Sequence, residues 1–572
     1  MKMTFRIGFG VLLLFSVLML LVMISCKKEE TSSADTDNGI LHEEESDYTW
    51  DSSSEIDIIL NGTSIEKSSS KVSVSGTVAT INSAGNYRIS GSLTSGQIIV
   101  DAGDDALVRL ILDGASVTNS TSSTLVVLSS SKTIINLVAG TTNTFTDGAT
   151  YTTLIDEDLN AAIFSKSDLT IFGDGTLTVN GNYIDGITSK DGLVIKSGVY
   201  NITSKDDGIR GKDYLIIHSG TYTINSGGDG LKSDNEDGSD VGYILIDDGT
   251  FNITSGGDGI AAQTNVTTSG SGTYTLKTGG GSSSSATTTS SKGIKGVVSA
   301  TIESGNYIIN SADDGIHSDN KVTINGGNIQ ISTADDGIHA EAAITVNDGT
   351  LSVTKSYEAF ESLKITINGG SVSLVATNDA VNSTAGTTSG GTEQNDGSCF
   401  TMTGGTLCAS CTNGDAIDSN GNVLITGGTV IVNGPASGIE EAADVNGSFN
   451  MNGGFFIGAG TNSNMNKTMS STSTQCNIYV ISSRSSFSAG TIFHIQDASG
   501  ADIVTFKPVR SYYSILFSSS SLATNVAYSI YSGGTCTGTE SNGLYSGGAY
   551  SGGTLKKSFT LSTSSTVTSV SL

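Results

Sequence analysis

The sequence predicts an all-β fold: a right-handed parallel β-helix with a small C-terminal β domain. A small residue followed by an apolar one recurs at 22-residue intervals along much of the chain. Between these points, short runs of alternating apolar residues are separated by glycine turns, as from Leu215 to Ile224. Alternation with period two is typical of strands, and a fixed period of roughly 20–50 residues is typical of solenoids. We expect about three short strands per coil, and a right-handed coil because that is the usual hand of a parallel crossover.

We call the small residue of this repeat the marker residue. It occupies positions 162, 186, 208, 230, 259, 293, 315, 337, 359, 380, 416 and 438. Leucine-rich repeats share the period but need a Leu/Asn pattern that this chain lacks. Two insertions rich in Gly, Ser and Thr, at 279–291 and 383–398, account for the longest intervals and should leave the helix as surface loops.

The first 26 residues predict an export signal. Lys2 and Arg6 precede an apolar run that ends at Ser25-Cys26. This pattern is similar to a bacterial lipoprotein signal, in which the cysteine is lipidated, and the alternative is a single membrane-spanning anchor. We expect an exported lipoprotein held in the outer membrane by Cys26, on the cell surface of a Gram-negative-type bacterium.

The remaining chain divides by composition into four segments. Residues 27–54 are polar and acidic and predict a disordered tether. Trp50, the only tryptophan, is expected to close a domain edge rather than to stack on a sugar. Residues 55–150 have strand patterns without the marker and predict atypical coils that cap the solenoid. The regular repeats span 151–460, and 461–572 predict a C-terminal β domain.

Six cysteines are present. Five remain once Cys26 is lipidated, so at least one thiol should be unpaired within the chain. A bond between Cys476 and Cys536 is the disulfide to test in the C-terminal domain.

Acidic residues precede most of the markers. Since equivalent residues of stacked coils lie about 4.8 Å apart, their carboxylates should repel one another unless protons or cations intervene. A second acidic series follows the marker by a few residues. Two such columns offer the hard oxygen ligands that calcium prefers, whereas His and Cys look too sparse for a zinc-type site. The predicted calcium ligands are Asp185, Asp206, Asp207, Asp213, Asp229, Asp234, Asp258, Asp313, Asp314, Asp319, Asp335, Asp336 and Glu341. The simpler alternative is that Asp-Gly only forms the turns.

An outward position lies two residues after each marker. It holds Arg210, Lys232 and Lys295 in three coils. Beside calcium, an unprotonated Arg or Lys could remove a sugar proton, as in pectate-type lyases. Compensation of an acidic surface is the interpretation we favour, so these three residues are candidate bases only for a lyase.

The net charge of −28 argues against nucleic-acid binding because no basic patch is present. The same charge would repel an acidic polysaccharide unless calcium bridges the two.

The Asp-Asp-Gly-Ile coils, with strands such as Gly220 to Ser226, resemble a bacterial carbohydrate-binding domain family over about residues 55–570. The tail, with Tyr512-Tyr513 and Tyr528 to Gly534, adds to this resemblance. The resemblance implies a calcium-binding, polysaccharide-lyase-like right-handed parallel β-helix that binds plant-wall polysaccharide such as cellulose or pectin. The resemblance supplies no catalytic residue. Three functions therefore stay open: a calcium-stabilised glycan-binding protein, a calcium-dependent polysaccharide lyase, and a surface adhesin or structural stalk.

Overall fold

A computed structural model describes residues 42–152, 158–284, 288–386, 394–463, 468–562 and 566–572. The chain divides into two units, Met1–Ile40 and Leu41–Leu572, and the described residues all lie in the second. The signal segment and the lipidated Cys26 lie outside the described residues. Within the described ranges, we find no helix with the length and apolar character needed to cross a membrane.

Successive coils add one strand each to three parallel sheets, which confirms the predicted parallel β-helix. In one sheet, Tyr222 pairs with Tyr200 of the coil before and Phe251 of the coil after. In another, Ile209 pairs with Leu231 one coil later. Because each strand recurs one turn later along the solenoid, the residues at equivalent positions of successive coils form a column.

The strands that follow the marker residues form what we call the marker sheet. Its strands are Val78–Ile81, Gln97–Asp101, Leu125–Ser129, Ala161–Ser165, Asp185–Ser189, Ile209–Gly211, Leu231–Ser233, Ile260–Ala262, Ile294–Gly296, Ile316–Ser318, the first parts of Ile338–Val346 and Phe360–Ile367, Asn382–Ser383, Asp418–Ser419 and Asp444–Val445.

The second, or middle, sheet follows in each coil. Its strands are Lys132–Leu137, Leu169–Gly173, Gly192–Ile195, Tyr214–Ile217, Tyr243–Ile246, Asn265–Thr268, Ser299–Ile302, Lys321–Ile324, the last parts of Ile338–Val346 and Phe360–Ile367, Cys399–Met402, Asn422–Ile425 and Phe449–Met451.

The third, or aromatic, sheet completes the coil. Its strands are Glu55–Gly62, Gly85–Leu93, Leu107–Thr118, Thr142–Thr146, Thr176–Gly181, Val199–Ser204, Thr221–Ser226, Thr250–Ser255, Thr273–Thr278, Asn306–Ser311, Asn328–Thr333, Thr350–Lys355, Ser371–Ala376, Thr406–Cys411, Thr429–Asn433 and Phe455–Gly460.

The core is built from columns of identical or similar side chains. Along the aromatic sheet five rings stack in series with centroids 4.4–4.9 Å apart and nearly parallel planes. These rings belong to Tyr200, Tyr222, Phe251, Tyr274 and Tyr307. Their alternate neighbours face outward, so one face of the strand is apolar and the other polar.

The marker is small for a steric reason. A Cβ atom on Gly208 would lie 2.5 Å from the carbonyl oxygen of Gly230 and 2.6 Å from Cγ2 of Ile224. Adjacent coils approach so closely here that a larger side chain would force them apart.

The last marker was assigned wrongly. Ile439, which follows Gly438, is 65% exposed. Ser419 instead pairs with Val445 and Asp418 with Asp444, so Ala442 takes the marker place and Asp444, rather than Glu440, the outward position. Two alanines in place of Gly-Ile hid this coil from the sequence pattern.

The chain ahead of the coils is ordered from residue 42, although 27–54 was predicted as a tether. We call residues 42–50 the N-terminal strap. It includes the 3-10 helix Glu45–Tyr48, and the 3-10 helix Ser52–Ser54 follows it. Arg109 donates to the carbonyl oxygens of Ser46 and Asp47, and its guanidinium lies 5.5 Å from the centroid of the Trp50 ring. These contacts, distant in sequence, hold a segment whose own composition is too polar to fold.

The two ends of the solenoid differ. At the start, Glu55–Gly62 pairs with Gly85–Leu93 in parallel and with Ile65–Lys67 in antiparallel fashion, and Val72–Ser75 forms a hairpin with the first strand of the marker sheet. At the end, Phe455–Gly460 pairs with Ser514–Ser519 in antiparallel fashion, which stops the parallel winding.

The C-terminal part is a β structure joined to the last coil. Its strands are Asn477–Ile481, Phe493–Asp497, Asp502–Phe506, Ser514–Ser519, Ala527–Ser532, Thr535–Cys536, Thr539–Ser541, Leu544–Ser546, Tyr550–Ser551, Thr554–Thr560 and Val567–Ser571. The disulfide proposed between Cys476 and Cys536 is wrong, because both cysteines are free thiols.

Candidate functional site

The acids before the markers lie in register along one edge of the marker sheet. We call this row the acid column. Most members are almost completely buried because the adjacent coils cover them. Its members are Asp185, Asp207, Asp229, Asp258, Asp314, Asp336, Glu358, Asp379, Asp415 and Glu441. Lys292 takes the place of an acid between Asp258 and Asp314.

Backbone hydrogen bonds use one oxygen of most carboxylates in the column. The amide of Asp207 donates to Oδ1 of Asp185 at 3.1 Å, and the amide of Asp229 donates to Oδ1 of Asp207 at 2.9 Å. The pattern continues where the amide of Glu358 donates to Oδ1 of Asp336 at 3.1 Å. Most of these acids therefore cap the turn of the next coil, and their second oxygen remains for another partner.

In the first coils of the acid column, basic side chains lie beside the second carboxylate oxygen. Nζ of Lys232 lies 3.0 Å from Oδ2 of Asp207 and 3.0 Å from Oδ2 of Asp229. Arg210 lies 2.7 Å from Asp234 and 4.0 Å from Asp185. Burial by itself would lower the pKa of Lys232, but the two aspartates raise it above its usual value. Two of the three candidate bases are thus held in ion pairs.

A lysine of the chain also compensates the middle of the column. Nζ of Lys292 lies 2.7 Å from Asp313 and 3.3 Å from Asp314. Burial alone would raise the pKa of Asp314, but the hydrogen bond from His317 and the charge of Lys292 lower it below its usual value.

The second acidic series faces the outward side chains rather than one another. Asp234 pairs with Arg210, and Asp213 accepts from Asn235 at 2.5 Å. Asp319 lies 3.0 Å from His317. Most of this series therefore contacts a cation, a histidine or an amide side chain of the same or a neighbouring coil.

The compensation of the buried carboxylates by basic side chains is lost toward the C-terminal coils, where acidic or neutral residues hold the outward positions. Burial and nearby carboxylates raise the pKa of Glu358 to about 8, of Asp418 to about 8 and of Asp415 to about 10. Asn382 donates to Glu358 at 2.7 Å, while its buried Oδ1 has no hydrogen-bond partner. Neither Asp418 nor Asp444 was among the predicted ligands; the marker at 416, which follows the one at 380 by 36 residues because of the 383–398 insertion, is the signal that reveals Asp418.

Two groups of acids have the geometry for a shared cation. Carboxylate oxygens of Asp185, Asp206 and Asp207 lie within 4.8 Å of one another, and so do those of Asp313, Asp314 and Asp335. Calcium takes oxygen ligands at about 2.3–2.6 Å, so the first group would hold the ion once Lys232, which lies 3.0 Å from Asp207, moves away from that carboxylate. Lys292 already occupies the second group. The other predicted ligands belong to neither group: Asp213, Asp229, Asp234, Asp258, Asp319, Asp336 and Glu341.

A cleft of about 360 Å³ opens beside the column. Asp229, Lys232, Asp258 and Lys295 line it. Its walls therefore carry two of the three candidate bases next to three members of the acid column, Asp207, Asp229 and Asp258.

Comparisons with known proteins find similarity to carbohydrate-binding domain-containing proteins over part of the chain. Residues 75–337 match the family model described as carbohydrate-binding domain-containing protein, which confirms the predicted resemblance. A carbohydrate-binding domain-containing protein of Acetivibrio thermocellus is 40% identical over 136 residues, which are 23% of this chain and 47% of that protein. The chain thus matches about half the length of that relative.

One solved structure is also similar. It is the polysaccharide lyase-like protein from C. thermocellum, as a gadolinium derivative, at 26% sequence identity. The match covers 49% of this chain and 94% of that chain, with a TM-score of 0.37.

Proposed function

We propose, on the premise that residues 75–337 are a carbohydrate-binding domain, that the protein binds plant-wall-type polysaccharide, cellulose or pectin-like, at the cell surface. The family match over the regular coils is the observation that carries this proposal. Calcium between the coils is the second part of it, and the lipid anchor on Cys26 the third.

The outer face of the aromatic sheet is the surface best suited to an extended glycan. We call its central part the threonine face: Thr221, Thr223, Thr250, Asn252, Thr273 and Thr275. All six are exposed, and the register places them in two straight rows. Within each row, residues of neighbouring strands are about 4.8 Å apart. The two rows together form a grid of hydroxyl and amide groups without charge. Such a grid matches the hydroxyls of a neutral polysaccharide.

Sedimentation with insoluble cellulose and with calcium-gelled polygalacturonate tests the proposal. We expect the purified chain to sediment with at least one of them. Thr223→Glu together with Thr275→Glu should reduce sedimentation with cellulose because the grid gains charge, whereas the exposed loop substitution Ser239→Glu should not. Failure to bind either polymer, with or without calcium, would exclude the proposed function and leave the surface stalk.

Calcium is supported by the donor chemistry of the acid column. Asp185, Asp206 and Asp207 would hold the ion, and its charge would relieve the repulsion between carboxylates brought together by winding. In this proposal the calcium ion stabilises the fold.

The lyase alternative needs an unprotonated base. Arg210 and Lys232 are ion-paired, and the pKa of Lys232 is raised, so neither is suited to accept a proton. Incubation with polygalacturonate and calcium should therefore yield no new ultraviolet-absorbing unsaturated ends. Formation of such ends, and their loss on Lys295→Met, would favour the lyase.

The anchor is tested separately. Mass spectrometry of the chain purified from its native membrane should show an acylated Cys26 as the first residue. An unmodified N-terminus that retains residues 1–25 would favour the membrane-spanning anchor.

A further inference from the structure

Two adjacent coils carry the same motif, Asp-Asp-Gly-Ile-His, at 313–317 and 335–339. The register pairs His317 with His339, and their ring centroids are 5.1 Å apart. Counting histidines in the sequence argued against a zinc-type site, but winding brings two of the five together.

Three potential ligand atoms converge at this place. Nδ1 of His317 lies 2.8 Å from Oδ2 of Asp314, and Nδ1 of His339 lies 3.9 Å from the same oxygen. Donors around a tetrahedral zinc ion, at about 2.0–2.1 Å from it, are about 3.3 Å apart. These two separations bracket this value, and all three ligand atoms lie within 4.8 Å of one another, so the ion fits after small side-chain movements.

The outer nitrogens of both rings also face carboxylates. Nε2 of His317 lies 3.0 Å from Oδ1 of Asp319, and Nε2 of His339 lies 3.9 Å from Oε1 of Glu341. Metal-binding histidines usually donate their second ring N–H to a carboxylate in this way. A neutral imidazole has one N–H and cannot donate on both sides. A metal ion on Nδ1 satisfies the inner carboxylate and leaves Nε2–H for the outer one.

We propose that Asp314, His317 and His339 bind a zinc-class divalent ion, with Asp319 positioning the His317 ring. Imidazole nitrogens favour such ions over calcium, so this site is distinct from the proposed calcium group at Asp185.

Ligands for a fourth position are close, and so is a competitor. Asp336 and Glu361 lie with His339 in an overlapping group within 4.8 Å, and a water molecule could equally complete the coordination. Lys292 lies 3.3 Å from the Asp314 oxygen that the ion would use. Its ammonium can remain on Asp313 at 2.7 Å, but its charge should weaken binding of the ion.

Titration of the purified full chain with Co²⁺, in excess calcium, tests the site. We expect saturable visible absorption bands at one equivalent, displaced by Zn²⁺ and not by Ca²⁺. His317→Ala and His339→Ala should each abolish saturation in the range where the native chain saturates. Asp319→Asn should weaken affinity by roughly 10- to 100-fold, as for other carboxylates that orient a ligating histidine, and Lys292→Met should strengthen it.

His218→Ala is the matched control. His218 also lies between two carboxylates, Glu43 at 3.0 Å and Asp247 at 2.6 Å, but Lys196 and Asp247 hold the equivalent positions of its neighbouring coils. This variant should bind Co²⁺ as the native chain does. Absence of saturable binding, or equal binding by the His317→Ala/His339→Ala double variant with unchanged circular dichroism, would overturn the proposal. Weaker binding by Lys292→Met would also contradict it.

Discussion

At the scale of single residues, the acid column shows how the fold tolerates stacked carboxylates. One oxygen of most acids accepts a hydrogen bond from a backbone amide of the next coil, as between Asp185 and Asp207. The other oxygen is left for a positive charge, which the chain itself supplies through Arg210, Lys232 and Lys292. Compensation by Arg210 and Lys232 was expected from their outward positions, but compensation by Lys292, which stands in the place of an acid, was not.

Substitution of Lys232 tests this compensation. Lys232→Met should destabilise the fold by up to about 3 kcal/mol, the lower end of the cost of breaking a buried ion pair, because the lysine is 28% exposed. The loss leaves Asp207 and Asp229 facing each other. Thermal unfolding in the presence of a chelator measures it. Lys205→Met, an exposed neighbour, should change little, and equal melting temperatures for the two variants would contradict the role of Lys232.

At the scale of structural elements, regular strands were predictable and the strap was not. Strand positions follow from alternation, which depends only on neighbouring residues. The strap depends on contacts distant in sequence, such as Glu43 with Lys196 at 2.9 Å and Tyr48 with Phe172, whose ring centroids are 5.1 Å apart. A polar composition therefore indicated disorder where tertiary contacts impose order.

Arg109 is the residue on which we expect the strap to depend most. It is 5% exposed and binds two strap carbonyls. Arg109→Met should leave the coils folded but speed proteolysis and hydrogen exchange in residues 42–54, since those carbonyls lose their donor. The exposed Arg484→Met is the control. Unchanged protection of the strap in Arg109→Met would show that its other contacts suffice.

The aromatic stack should contribute strongly to the stability of its own coils. Phe251 lies between Tyr222 and Tyr274, with centroids at 4.6 and 4.9 Å. Phe251→Ala should cost about 3–5 kcal/mol, as for other buried aromatic truncations, whereas the exposed Thr250→Ala should change stability by less than about 0.5 kcal/mol. Because solenoid coils are coupled mainly to their neighbours, hydrogen exchange should rise most in residues 200–310. A uniform rise along the chain would contradict this localisation.

At the scale of the whole molecule, repetition made the fold predictable and hid the differences between coils. The period gave the three sheets and the register of the acid column. It could not show that Ala442-Ala443 replaces Gly-Ile, and although it places His317 and His339 in register, it could not show that Nδ1 of His317 lies 2.8 Å from Asp314. Such features depend on single residues that differ from the repeat, and the period of the sequence does not reveal them.

The excess of buried acids predicts an unusual dependence of stability on pH. Burial, together with neighbouring acids, raises the pKa of Asp185 to about 7, of Glu358 to about 8 and of Asp379 to about 6. The folded chain therefore holds these protons to a higher pH than the unfolded chain, whose carboxyl groups have pKa values near 4. Their contribution to the free energy of unfolding is complete below about pH 4 and is lost as the pH rises through about 6 to 8.

Calcium should reverse that loss, because it binds the deprotonated carboxylates and stabilises the state that holds it. In the presence of a chelator, the melting temperature should be lower at about pH 8 than at about pH 5. The lower pH is chosen because it still lies above the range in which carboxylates with lowered pKa values become protonated. Added calcium should raise the melting temperature more at the higher pH, and magnesium, which prefers a stricter octahedral geometry, should raise it less. A chelated chain that melts at the same temperature at both pH values would contradict the buried protons. An unchanged melting curve on adding calcium at the higher pH would contradict the metal site while leaving glycan binding to its own test.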